Sequence, residues 1–291
     1  MQKLSNHLLE VALSPHGAEL KRFYHKGNKQ EWLWGGDEKF WPRSSPVLFP
    51  IVGKLKDNAY TYKGNRYELP QHGFARDMDF AIIEESERHV TYRLESDYQT
   101  LEKYPFVFQL DVTYRLADAC LEVEYRVANP AREALWFSIG AHPGFSCLPS
   151  KDADDVKAQI RLDIGRELLI HRLQGGLLAK EATEGLVSSF EGIIELTDHL
   201  IEHDAMVFKS PLGRWVDLHV PRRPGFVRLI AKGWPYYGIW SKPNAPFVCL
   251  EPWYGVADSV DTTGDITQKE GIMKLGPGQE WQAMWSVEVK K

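Results

Sequence analysis

The chain has 291 residues, 43% of them hydrophobic and 26% charged, with a formal net charge of -5. This is the balance of an ordinary globular protein, and its acidic excess argues against a general nucleic-acid partner, which needs a clustered positive field. Cys120, Cys147 and Cys249 show neither CxxC spacing nor a neighbouring His pair, so a disulfide framework and a zinc site are both disfavoured and buried thiols are expected.

No run approaches the roughly 18 apolar residues of a membrane span, and Met1 to His7 lacks the apolar stretch of a signal peptide. A cytoplasmic protein with no membrane association is the expectation. From the N-terminus, residues 8–13 and 18–23 read as short strands around a turn at Ser14-Pro15-His16-Gly17, and residues 31–34 as a further strand. Residues 41–54 contain three prolines, which forbid a helix and remove donors from a central strand, so a shaped loop is predicted. Residues 59–69 have a hairpin pattern around Lys63-Gly64-Asn65 and deliver the chain to Gln71-His72-Gly73-Phe74-Ala75-Arg76-Asp77.

Beyond this loop, residues 79–93 and 106–127 alternate apolar and polar, with one face for a core and one for water. A single helical turn is predicted over residues 98–104, ended by Pro105. Residues 134–145 read as an apolar strand running into His142, and residues 150–200 as connecting structure with turns and short strands such as 159–162, without chemistry of their own. Strands follow from His203 to Phe208, over 215–220, 225–230, 237–242 and 246–253, and a closing hairpin is expected from 270–275 and 281–289. Many short strands with almost no helical period predict an all-β sandwich, with residues 1–291 as one large domain.

Three positions stand out chemically. His72 lies beside Gly73 with Arg76 four residues on, either as a solvated loop or as a wall of a site. His142 is flanked by Gly140, Pro143 and Gly144, which break strand pairing, and is either a satisfied core histidine or a group set against a cavity. Glu251 follows four apolar residues, and such a setting raises a carboxyl pKa toward the range useful for acid or base work, unless a nearby cation pairs with it. Two histidines and a carboxylate also suggest a metal, but the close ligand pairs usual for that are absent, so no metal and no cofactor are expected. The 10 Trp, 12 Tyr and 13 Phe suit strands and the apolar faces of sugar rings or bases.

At these residues the chain resembles the aldose 1-epimerase (galactose mutarotase-like) family, most closely its LacX-type branch. The resemblance is carried by Pro46-Val47-Leu48-Phe49-Pro50-Ile51-Val52-Gly53, Gln71-His72-Gly73-Phe74-Ala75-Arg76, Ala141-His142-Pro143-Gly144-Phe145 and Leu250-Glu251-Pro252-Trp253, in order, over nearly the whole chain. It implies a large β-supersandwich and cofactor-free interconversion of α and β anomers of a free or phosphorylated aldose. It further implies that Glu251 is the base on the C1 hydroxyl, that His142 protonates the ring oxygen and that His72 supports the charge developing there. Arg76 matches an arginine of the hexose-6-phosphate branch, Arg43 lies about one place from a second, and Asp204 is a weaker match to a sugar-binding aspartate. Gly53-Lys54-Leu55-Lys56-Asp57-Asn58 departs from the Gly-Arg-x-x-Asn-Arg pattern of galactose mutarotases, which puts free galactose in doubt. The expected partner is a small-molecule sugar or sugar phosphate, and the oligomeric state stays open. A non-catalytic carbohydrate-binding or sensing protein on the same fold, and a sugar isomerase or hydrolase reusing the same acid and base, are the competing readings.

Overall fold

The computed structural model describes residues 1–149, 152, 154–163, 167–180, 184–187, 192–202 and 204–290, with the side chains of 167 and 184–187 excepted. His203, where a strand was expected to start, lies outside the described residues; the strand begins at Met206.

The alternating stretches form one end of a nine-stranded antiparallel sheet, out to its edge strand. Its order is Ile193–Leu196, Ala158–Leu162, Val216–His219, Phe226–Ile230, Glu280–Lys290, Cys120–Ala128, Gln109–Ala117, His89–Glu95 and Ala81–Glu85. Leu110, Val112, Tyr114 and Leu116 point to the core from one strand, and Leu121, Val123, Tyr125 and Val127 from its partner. On the opposite face Asp111 is buried as well. It stands beside Arg93 and Arg126 on the flanking strands and accepts from both guanidiniums at 2.7 to 2.9 Å, so the buried carboxylate is paired.

A second sheet runs Met206–Phe208, Tyr236–Trp240, Phe247–Tyr254, Ile139–Ala141 and Val47–Leu48, with Gly144–Ser146 also paired to Phe247–Tyr254. Four N-terminal strands, Gln2–Ser5, Leu9–Ser14, Glu19–His25 and Gln30–Glu31, make a third. Phe23, Tyr92, Tyr125, Trp285, Ile239 and Leu250 belong to one continuous apolar cluster, so the three sheets close on a shared core. The helical turn forms at Tyr98–Lys103, with Asp97 and Thr100 exchanging capping hydrogen bonds. Among the described residues no helix is long and apolar enough to cross a membrane.

Three expectations change. The apolar strand over 134–145 is broken into Leu135–Phe137, Ile139–Ala141 and Gly144–Ser146: at Ser138 the chain changes partner from Met273–Leu275 to Phe247–Tyr254, and at His142 and Pro143 its pairing with the latter is interrupted. Met273–Leu275 pairs with Leu135–Phe137, so it forms no hairpin with the last strand. The region 150–200 does more than connect: the short strand expected at 159–162 forms as Ala158–Leu162, and with Ile193–Leu196 it extends the nine-stranded sheet.

Candidate active site

The loop carrying His72 is fixed from below. Phe49 and Phe74 join Tyr104 and Phe108 in an aromatic cluster, and the Phe49 carbonyl accepts from both Phe74 and Ala75 N–H at 3.1 Å. Gly73 sits at φ +70, and a Cβ there would lie 2.3 Å from that carbonyl, so only glycine lets the two segments approach. His72 itself is at φ +66 and is tied twice to Gly53: its N–H donates to the Gly53 carbonyl at 2.8 Å, and Gly53 N–H donates to His72 Nδ1 at 3.1 Å. Burial, with His142, Arg76 and Arg43 adding, holds the His72 pKa well below its usual value, so the ring is neutral. With Nδ1 an acceptor, the proton of the neutral ring is on Nε2, which becomes a donor in the cavity wall.

The second half of the site comes from the six-stranded sheet. Ile139–Ala141 and Gly144–Ser146 both pair with Phe247–Tyr254, and the two residues between them, His142 and Pro143, lie across from Leu250 and Glu251. Leu250 N–H bonds the Pro143 carbonyl at 3.2 Å and keeps the kink against the strand. This brings His142 Nε2 to 3.1 Å from Glu251 Oε2, with both residues buried. The contact is within proton-transfer range, although its angles are not those of a formed hydrogen bond, and Oε2 has no other partner. Trp41 stacks on the His142 ring at 4.9 Å between centroids, while His72 and Trp240 meet it edge-on at 5.6 Å each. Trp253 lies across Gly140 and Gly238 of the neighbouring strands, where a Cβ would come within 2.6 and 2.4 Å of its ring.

These residues, with Gln71, Arg76 and Asp204, line a cavity of about 270 Å³. Burial pushes the Glu251 carboxyl well above its usual range, and Asp204 pushes it further. Burial lowers the His142 imidazole to about 3, with Arg76 and Arg43 acting in the same direction. The pair therefore holds one proton over a wide pH span, on the carboxyl in preference to the ring.

His72, His142 and Glu251, which sequence reasoning singled out, thus converge on one cavity, together with Arg76 and Asp204. Arg43 does not line it. Its guanidinium bonds Asp77 at 2.6 Å and the Arg76 carbonyl at 3.3 Å, behind the cavity wall. Arg76 donates from Nη2 to the Gln71 carbonyl at 2.7 Å, and its buried Nε has no hydrogen-bond partner. Trp41, Trp240 and Trp253 were not singled out, although the abundance of tryptophan and its fit to sugar faces was the available signal. Leu173 and Gly176 also reach the wall, from a region that had been read as connecting structure.

One group of potential metal ligands occurs among the described residues: donor atoms of His142, Cys249 and Glu251 lie within 4.8 Å of one another. Burial holds the Cys249 thiol in its protonated form, which is a poor ligand, and the remaining two atoms are already in contact.

A model of the aldose 1-epimerase family matches residues 1–170. The plasmid-encoded protein LacX of Lactococcus lactis subsp. lactis is 26% identical over 284 residues, 94% of each chain. A galactose mutarotase related enzyme from Lactobacillus acidophilus superposes with a TM-score of 0.91 at 32% identity, over 100% of this chain and 97% of that one. A galactose mutarotase-like protein from Lactobacillus casei ATCC 334 gives a TM-score of 0.91 at 29% identity, with both chains covered completely. The fold is that of these structures.

Proposed function

From the premise that this chain belongs to the aldose 1-epimerase family, we propose that it interconverts the α and β anomers of an aldose by opening and reclosing the sugar ring. The observation that carries this reading is the 3.1 Å approach of His142 Nε2 to Glu251 Oε2 inside a cavity walled by tryptophan. Ring opening needs a base for the C1 hydroxyl and an acid for the ring oxygen. Glu251 as carboxylate takes the hydroxyl proton, the bond from C1 to the ring oxygen breaks, and protonated His142 delivers its proton to that oxygen. The reactive form of the pair, the less populated of its two one-proton forms, carries the proton on His142, and the step ends with one on Glu251. Rotation about the C1–C2 bond and the reverse transfers close the other anomer and return the pair to its starting state.

His72 Nε2–H supports the charge that grows on the ring oxygen. Asp204 and Gln71 are suited to sugar hydroxyls, and the indole of Trp41 or Trp240 to an apolar sugar face. The half-buried Arg76, whose Nε makes no hydrogen bond and faces Asp77 Oδ2 only at 3.7 Å, favours an aldose bearing an anionic group such as a phosphate, with Arg43 holding Arg76 in place from behind.

The test is anomer exchange followed by NMR over paired free and 6-phosphorylated sugars. Acceleration for at least one pair, lost in Glu251→Gln, is the expected result. No acceleration with any sugar at high protein concentration would sink the proposal, and calorimetric sugar binding without exchange would assign the site to a carbohydrate-binding protein instead.

A further inference from the structure

The donor role of His72 depends on which of its nitrogens carries the proton, and that is decided by Gly53. The turn bearing Gly53 is in turn fastened by a buried ion pair that touches neither the cavity nor its ligand. Lys269 Nζ lies 3.1 Å from Asp258 Oδ1 and donates to the Val256 carbonyl at 2.5 Å, with both side chains almost wholly buried. The other oxygen of Asp258 accepts from Lys56 N–H at 3.0 Å, and Asp258 N–H donates to the Lys54 carbonyl at 2.9 Å. Between these anchors Gly53, at φ +75, packs on Ala257 so closely that a Cβ would lie 2.5 Å from it. The backbone of 53–56 is thereby held against 256–258, and Gly53 N–H is aimed at His72 Nδ1.

We propose that Lys269 and Asp258 are positioning residues for the reaction, setting His72 in its Nε2–H form through the 53–56 turn. A buried ion pair is commonly no more stabilising than apolar side chains of the same volume, so stability alone does not account for one at this place. Its geometric effect does. The carboxylate bonds backbone on one side of a joint that no regular strand crosses, at Lys56 N–H, the ammonium bonds it on the other, at the Val256 carbonyl, and their ion pair links the two, so a small shift there rotates the N–H away from Nδ1. The neutral ring is then free to carry its proton on Nδ1, which leaves a lone pair, not a donor, facing the sugar.

This inference rests on the anomer-exchange reading for its kinetic consequence but not for its structural one, so its test has two readouts. Long-range ¹H–¹⁵N spectra of the sugar-free protein, with His72 assigned by comparison with His72→Gln, are expected to show Nε2 protonated and Nδ1 bare. In Lys269→Met and Asp258→Asn the two tautomers are expected to mix, with kcat down by about 10-fold or more and KM changed by less than about threefold, since misplacing a catalytic group costs rate before binding. Lys269→Arg, which keeps charge and donors, is expected to restore both readouts. If neither single variant folds, the double variant, which leaves no buried charge, is measured in their place. A wild-type ring protonated on Nδ1, an unchanged tautomer in the folded variants, or a double variant that also fails to fold would overturn the proposal and leave the pair purely structural. Absence of anomer exchange in the wild type would remove the functional reading while the tautomer result still stood.

Discussion

Glu251→Gln separates the chemistry of the site from its cost to the fold. The amide keeps the shape of the carboxyl but neither takes nor gives a proton at accessible pH, and loss of a general base lowers rates by about 10²- to 10⁴-fold. The same change is expected to make the protein more stable. Glu251 is buried and its folded-state pKa is raised well above 4.5, so its contribution to stability is fully present below the unfolded-state pKa and is lost as pH rises toward the folded-state value. Glutamine has no such dependence. The stability difference between variant and wild type therefore opens near pH 4.5 and widens by about 1.4 kcal/mol for each pH unit over which the buried carboxyl stays protonated. His142, whose pKa is shifted in the other direction, contributes to both proteins and drops out of the difference. For a 291-residue chain the unfolding entropy converts about 1.4 kcal/mol into roughly 2 °C of melting temperature. Paired thermal melts without sugar, at unit steps from pH 4 upward, measure it. A difference that does not change with pH would show that Glu251 ionises in the folded protein as it does in the unfolded chain, and the account of the site as a one-proton pair would be wrong.

Asp204→Asn removes a negative charge that raises Glu251, so the alkaline limb of the pH–rate profile should move to lower pH; an unmoved limb would separate Asp204 from the base. Arg76→Ala should raise KM by about 10- to 100-fold for a 6-phosphorylated sugar and little for the free sugar, as expected for loss of a charge-assisted hydrogen bond, and equal effects on the two in steady-state assays would exclude phosphate there. Gly238→Ala adds a Cβ 2.4 Å from the Trp253 ring, which Gly140 confines on the other side. It should cost about 1 to 3 kcal/mol in urea denaturation, despite the better strand propensity of alanine, and an unchanged midpoint would mean that the indole has room to move.

How far the sequence was legible differed by element, and the reason is physical. Where one face of a strand meets the core and the other meets water, as in Gln109–Ala117 and Cys120–Ala128, alternation is imposed residue by residue and can be read directly. Phe247–Tyr254 is buried almost throughout, so its apolar run marks a strand but not which side chains face a cavity; Glu251 stood out there only because a carboxyl is foreign to that setting. The break at His142 was signalled by Gly140, Pro143 and Gly144, but the earlier one at Ser138 was not, since exchange of partner from Met273–Leu275 to Phe247–Tyr254 is a long-range choice. Arg43 shows a similar limit. A cation near a loop reads the same whether it faces a ligand or, as here, Asp77. The tautomer of His72 was invisible because it depends on one backbone N–H from a turn 19 residues away.

The shifts at Glu251 and His142 bear on the direction of the proposed chemistry. Burial favours the neutral arrangement, carboxylic acid with imidazole, over carboxylate with imidazolium. In the proposed ring opening the charged arrangement belongs to the cyclic sugar and the neutral one to the open aldehyde. The same desolvation that makes Glu251 costly to ionise thus favours transfer of the C1 proton to it and of the His142 proton to the ring oxygen. Aqueous aldoses strongly prefer the ring, so a site that only bound the cyclic form tightly would deepen the barrier to opening. A dry pair that is most stable in the opened state works against that preference. Admission of water would weaken it, and the stacking of Trp41 on His142 places an indole where it excludes solvent from the pair.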